Sequence, residues 1–174
     1  MRQRLGDRTT NILAAQSNLA VSYEALGRPE ETLRMREDVY SGCLQLFGEH
    51  ERTLLAANNY AVSLQTLKRF DEVKSLMHKS IPVAQHILGE NNDLTLRMRW
   101  LYALALCRDD DATLDDVHEA VETLEETERT ARRVLGGAHP LVADFERTLR
   151  DAGAALRARE TLAEAMASTT LGDA

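Results

Sequence analysis

The chain has 174 residues, 44% of them hydrophobic and only 5% aromatic, which fits one domain with a substantial core and suits close helix-on-helix packing. Its formal net charge of -7 argues against a general electrostatic grip on nucleic acid or an anionic membrane. Two cysteines, Cys43 and Cys107, are too few for a secreted disulfide framework, and there is neither a signal segment at Met1 nor an apolar run of about 18 residues, so an intracellular, cytoplasmic protein is expected.

In chain order, Leu13, Leu19, Ala20, Tyr23 and Leu26 recur at helical spacing and predict a first helix that stops at Gly27. Pro29 suits the first turn of a second helix over 29–47, whose apolar positions are Leu33, Met35, Val39, Cys43, Leu44 and Phe47. A second pair is predicted over about 51–68 and 71–88, and a third over about 93–108 and 112–135. Leu114, Val117, Val121 and Leu124 mark one face of the last of these. A seventh helix is predicted from near Pro140 to about 166, with Leu141, Phe145, Leu149 and Leu156 on one side and Arg147, Arg150, Arg157 and Arg159 toward water. Residues 169–174 are expected to fray.

These helices repeat. An aromatic or leucine followed by glycine recurs as Leu5-Gly6, Phe47-Gly48, Leu88-Gly89 and Leu135-Gly136, with the glycines 42, 41 and 47 residues apart. Asn18-Leu19-Ala20-Val21-Ser22 matches Asn59-Tyr60-Ala61-Val62-Ser63, and Glu31 matches Glu72, all at an offset of 41. Thr95-Leu96 and Tyr102-Ala103 match Thr53-Leu54 and Tyr60-Ala61 at an offset of 42. One helix pair cannot hide its apolar stripe, whereas stacked pairs bury it between neighbours.

Leu19-Ala20-x-x-Tyr23, the turn Gly27-Arg28 and the pair Glu30-Glu31 resemble the tetratricopeptide repeat, as do Tyr60-Ala61 and Arg69-Phe70-Asp71-Glu72 in the second unit. The period near 42 and the joint Leu135-Gly136-Gly137-Ala138-His139-Pro140 are similar to the longer repeats of kinesin light chains. The resemblance covers roughly residues 5–150. It implies an all-α, tetratricopeptide-like α-α superhelix, a solenoid of three helix pairs plus a C-terminal capping helix. Repeats are expected at about 5–46, 47–87 and 88–134, with the capping helix at about 139–166. Pro29, where the family prefers an aromatic, Thr32 and Val73 in place of a small alanine, and the insertion Asp109-Asp110-Asp111 depart from the pattern.

The resemblance also implies a function. First helices of such a stack line a concave groove, and asparagines like Asn18 and Asn59 bond the main chain or terminal carboxylate of a bound peptide, since an amide both donates and accepts. Arg97 holds the place of a carboxylate-binding cation, with Arg99 nearby, and a guanidinium fork matches a carboxylate. The clamp is partial, because Ala14 and Leu55 stand where a full clamp uses lysine, and both Asn and Arg have an ordinary reading as solvated helix residues. The expected role is an adaptor or scaffold that binds an extended peptide or a partner helix. The alternative is a structural segment of a larger array that self-associates through its terminal repeats.

No catalytic, cofactor or metal site is expected. His50, His78, His86, His118 and His139 have no metal-ligand spacing, and glycine-rich phosphate loops and nucleophile motifs are absent. His50 and His139 fall at repeat joints, where capping or packing is expected, and Trp100 reads as a core position. The acids crowded into 109–128 read as a solvated helix face, or alternatively as a surface for a basic partner.

Overall fold

The computed structural model describes the backbone of residues 2–172 and the side chains of residues 9–165. Its elements are α1 (Arg2–Ala25), α2 (Pro29–Phe47), α3 (Glu51–Thr66), α4 (Phe70–Leu88), α5 (Asp93–Arg108), α6 (Leu114–Leu135) and α7 (Pro140–Gly172), with no strand among the described residues. The fold class is therefore all-α, as expected from the periodicity. α1 runs unbroken through Leu5-Gly6, so that copy of the glycine signal marks no joint. α7 continues to Gly172, through part of the expected fraying tail, and Asp173 and Ala174 lie outside the described residues.

Local chemistry explains where the helices break. Within each of the first two pairs, α1 to α2 and α3 to α4, the turn has the same form. Gly27 (φ 67) and Lys68 (φ 57), one repeat apart, adopt the left-handed conformation. The next amide then reaches back across six residues, Arg28 N–H to the Tyr23 carbonyl and Arg69 N–H to the Leu64 carbonyl, so the last carbonyls of α1 and α3 are satisfied. Glu31 and Glu72 sit in the first turns of α2 and α4 and pair with Arg28 and Arg69. The Arg28 guanidinium holds the Glu31 carboxyl below the usual range.

Between pairs a different joint recurs. Gly48, Gly89 and Gly136 have positive φ. A side chain just beyond each then accepts from the second amide of the next helix: His50 from Arg52 N–H, Asn92 from Leu94 N–H and His139 from Leu141 N–H. The histidines at the joints are caps. At the second joint the cap is Asn92, one place beyond the aligned Asn91, which is why the repeat offset grows from 41 to 42 there.

The chain divides into two compact units, Met1–Leu101 and Tyr102–Ala174. In the first, α1 packs on α2, α2 on α3 and α3 on α4. Leu13, Ala20, Leu33, Val39 and Cys43 are buried among α1 and α2, and Leu54, Ala57, Ala61, Leu64, Val73, Met77 and Ala84 supply the core of α3 and α4. Gly42 lets α1 approach closely, since a Cβ there would fall 2.5 Å from Leu13 Cδ2. In the second unit α6 packs on α7. Thr113 and Asp116 close a capping box at the start of α6, and Val117, Ala120, Leu124, Thr127 and Ala131 form its buried stripe. α7 meets it with Val142, Phe145 and Ala152. Arg147, Arg150 and Arg157 are exposed as expected, but Arg159 turns inward and donates to the Ala112 carbonyl at 2.7 Å.

Candidate functional site

Within the first unit, the first helices α1 and α3 stand on either side of α2 and leave a cleft above it. Its floor is Val39, Cys43 and Phe47 of α2, one wall is Thr10, Leu13, Ala14 and Ser17 of α1, and the other is Arg52, Leu55, Ala56 and Asn59 of α3, around a volume of about 280 Å³. A neighbouring recess of about 140 Å³ extends it past Ser17, Val21, Arg36 and Asn59. Both walls follow from helical spacing: 10, 13, 14, 17 and 21 share one face of α1, and 52, 55, 56 and 59 share one face of α3.

The cleft is apolar with polar ends. Leu13, Val39, Cys43 and Ala56 form a buried cluster with Tyr40 and Phe47 against it. At one end the Arg52 guanidinium lies 5.3 Å from the centre of the Phe47 ring, a cation–π contact that holds the charge at the mouth. At the other end stands Asn59. Burial pushes the Cys43 thiol up, against a smaller opposing pull from Arg52, so the thiol on the floor stays neutral and is no nucleophile at ordinary pH. Among the described residues that line the two recesses there is no carboxylate, and the charged ones are the cations Arg52 and Arg36.

Arg36 secures this architecture from below. Its guanidinium donates to the Asn59 carbonyl at 3.1 Å, to Ser63 Oγ at 2.9 Å and to Glu24 Oε2 at 2.6 Å, tying α2 to α3 and to the end of α1. Tyr40 and Tyr60 stack beside it with centroids 5.9 Å apart.

The expected site residues are distributed unevenly. Asn59 is half-buried and lines the cleft. Asn18, its repeat counterpart, is exposed on α1 and is not among the lining residues, which on that helix are Thr10, Leu13, Ala14, Ser17 and Val21. Arg97 is on α5 at the position equivalent to Leu55, and its guanidinium pairs at 3.0 Å with Asp93 one turn earlier. Arg99 is half-buried two residues further on. Trp100 is half-buried. Sequence reasoning passed over Arg52, although its place seven residues before Asn59 puts both on one stripe of α3.

Among the described residues no group of three or more His, Cys, Asp or Glu side chains is arranged to hold a metal ion. No described helix is long and apolar enough to cross a membrane.

Residues 12–51 match the tetratricopeptide repeat family. No curated protein matches the chain. Among solved structures, the chain is similar to nearly identical TPR-like repeats from Podosopora anserina assigned to a kinesin light chain, with 24% identity and a TM-score of 0.71 over 82% of this chain and 66% of that one. The chain therefore spans about two-thirds of the length of that relative. Residues 12–51 therefore carry the tetratricopeptide-repeat match, and the fold over most of the chain is that of the TPR-like repeats of that structure. Such repeats typically bind proteins or peptides and typically form non-enzymatic scaffolds.

Proposed function

We propose that this tetratricopeptide-repeat chain is a non-enzymatic adaptor that holds an extended peptide or a partner helix in the cleft between α1 and α3. The observation that carries the reading is the cleft itself: an apolar floor, an asparagine at one end and a cation at the other. An apolar side chain of the ligand fills the space above Val39 and Cys43. The Asn59 amide reads its main chain, and Arg52 meets a carboxylate. Asn18, Arg97 and Arg99 extend the recognition along the first-helix positions of the neighbouring repeats. Arg97 exchanges its exposed pairing with Asp93 for the ligand at little cost, because exposed ion pairs contribute at most about 1 kcal/mol. Affinity is modest, since one peptide buries limited area and must be ordered on binding. A reducing, cytoplasmic setting accords with two free cysteines, one buried and one half-buried.

The test is fluorescence anisotropy with labelled extended peptides, acidic and C-terminal ones included. The natural chain is compared with Arg52→Glu, with Asn59→Ala, and with the triple variant Asn18→Ala, Asn59→Ala, Arg97→Glu, each checked for helicity by circular dichroism. Loss of binding in folded variants supports the cleft. Unchanged binding in all of them moves the ligand to another face. The alternative reading, a self-associating segment of a larger array, requires a mass that rises with concentration in light scattering, and a stable monomer counts against it.

A further inference from the structure

A second recess lies on the other side of α3 from the cleft. α3 turns Arg52, Leu55, Ala56 and Asn59 to the cleft and Thr53, Leu54 and Ala57 to this recess. Tyr40 and Leu44 of α2 line one wall, Lys79, Ser80 and Val83 of α4 line the other, and the joint Gly48-Glu49-His50 borders it. The enclosed volume is about 180 Å³, below that of pockets for drug-sized ligands and suited to one small group. Several donors on its lining are unspent. Ser80 is 7% exposed, and a helical hydroxyl ordinarily donates to the carbonyl four residues earlier, as Ser22, Thr66 and Thr148 do. Among the described residues Ser80 Oγ makes no such bond, although a buried hydroxyl without an acceptor is costly. Lys79 beside it is exposed and forms no ion pair among the described residues. Tyr40 stacks on Tyr60, and its hydroxyl has no partner among them either. His50 accepts from Arg52 N–H at Nδ1, so its neutral ring carries the proton on Nε2 as a further donor. Thr53 differs, since its hydroxyl donates to the Cys43 carbonyl.

We propose that this recess is a second binding site, separate from the cleft, and that it takes a phosphomonoester group. Lys79 supplies the charge, and Ser80, His50 and Tyr40 donate to the phosphoryl oxygens. The site also lies at the N-terminal end of α3, where the helix dipole is positive. A phosphoryl group suits this set better than a carboxylate. It offers three terminal oxygens and a charge of about -1.5 to -2. The arginine fork that matches a planar carboxylate is absent from the described lining, which carries lysine as its point charge. Glu49, the one carboxylate on the described lining, opposes the anion and so tunes its affinity downward.

The full isotope-labelled chain is titrated with inorganic phosphate at constant pH and ionic strength, and amide shifts are followed by NMR. Saturable shifts at residues 48–50 and 79–80 are expected at millimolar phosphate, and none with acetate. Lys79→Ala weakens binding about tenfold and Ser80→Ala about fivefold, the loss of one charged and one neutral donor. Glu49→Gln tightens it about threefold, a gain that damage to the fold does not produce. Lys68→Ala removes the same charge at the other end of α3 and leaves binding unchanged. A phosphoserine peptide with a neighbouring leucine separates the two sources of the group. Affinity above that of inorganic phosphate, through the exposed Leu44 at the rim, assigns it to a protein chain, and equal affinity assigns it to a free phosphomonoester. No saturable shift with either probe overturns the proposal, as does binding indifferent to both Lys79→Ala and Ser80→Ala. A response to acetate equal to that for phosphate overturns the phosphoryl assignment.

Discussion

Arg36 offers the sharpest test of how the first unit is held together. Its side chain is only 12% exposed and reaches three groups on two other helices. Replacing it with alanine removes two hydrogen bonds to α3 from a charged donor, and with them the packing of its aliphatic stem. Each bond of that kind contributes roughly 1.5–3 kcal/mol when its partner is shielded from water. Two factors reduce the sum. Glu24 is half-exposed and rehydrates, so its pairing adds less than about 1 kcal/mol. The Ser63 hydroxyl can turn to the Asn59 carbonyl, as Ser22 does to Asn18 in the first repeat. The expected loss for Arg36→Ala is about 2–3 kcal/mol. The assay is urea unfolding followed by fluorescence of Trp100, the chain's single tryptophan, which lies in the same unit. The midpoint should fall with an unchanged slope. A double-mutant cycle separates the partners: coupling to Ser63→Ala should exceed coupling to Glu24→Gln. A loss below about 0.5 kcal/mol would refute the claim that Arg36 ties these helices.

Three further outcomes follow from single features. Lys68→Gly should stabilise the chain by about 0.5–1 kcal/mol in the same urea assay, because lysine occupies the left-handed position that glycine fills at Gly27. Thr113→Ala should cost about 1 kcal/mol in thermal unfolding followed by circular dichroism, since it removes the hydroxyl that accepts from Asp116 N–H and leaves only the backbone half of the capping box on α6. Burial pushes the Cys107 thiol up to about 11, against smaller opposing effects of Arg159 and Arg108. At pH 8 its thiolate should be about a hundredfold scarcer than at the ordinary value of 9.0, so alkylation by iodoacetamide should be slowed accordingly. The same shift sets a sign for stability. The unfolded thiol ionises first, so the contribution is whole below pH 9 and declines as pH rises toward 11, and Cys107→Ala should flatten that part of the profile.

What was legible in the sequence was whatever depends on neighbours along the chain. Helix spacing, the turn at Gly27 and the joints with their capping histidines involve partners within about six residues, so residue type and order suffice to find them. The offset of 41 extended that reach by one repeat and correctly matched Gly27 with Lys68, although lysine is a poor residue for a left-handed turn. What stayed hidden depends on pairings that cross the stack. Arg36 looks like a surface cation in a charged helix, and its partners lie 12, 23 and 27 residues away, one of them a backbone carbonyl that no residue type announces. Arg159 is the same case, bonded to a carbonyl 47 residues earlier.

Asn18 and Asn59 show the limit of repeat logic itself. They are the same residue at the same position of the same motif, and only Asn59 lines the cleft between α1 and α3. Asn59 faces the interval between its own helix and α1, whereas Asn18 is exposed and lies outside that lining. Equivalent positions in a repeat therefore carry equivalent functions only where equivalent neighbours are present. Ile12 and Leu19 are likewise exposed at positions whose counterparts, Thr53 and Tyr60, meet α2.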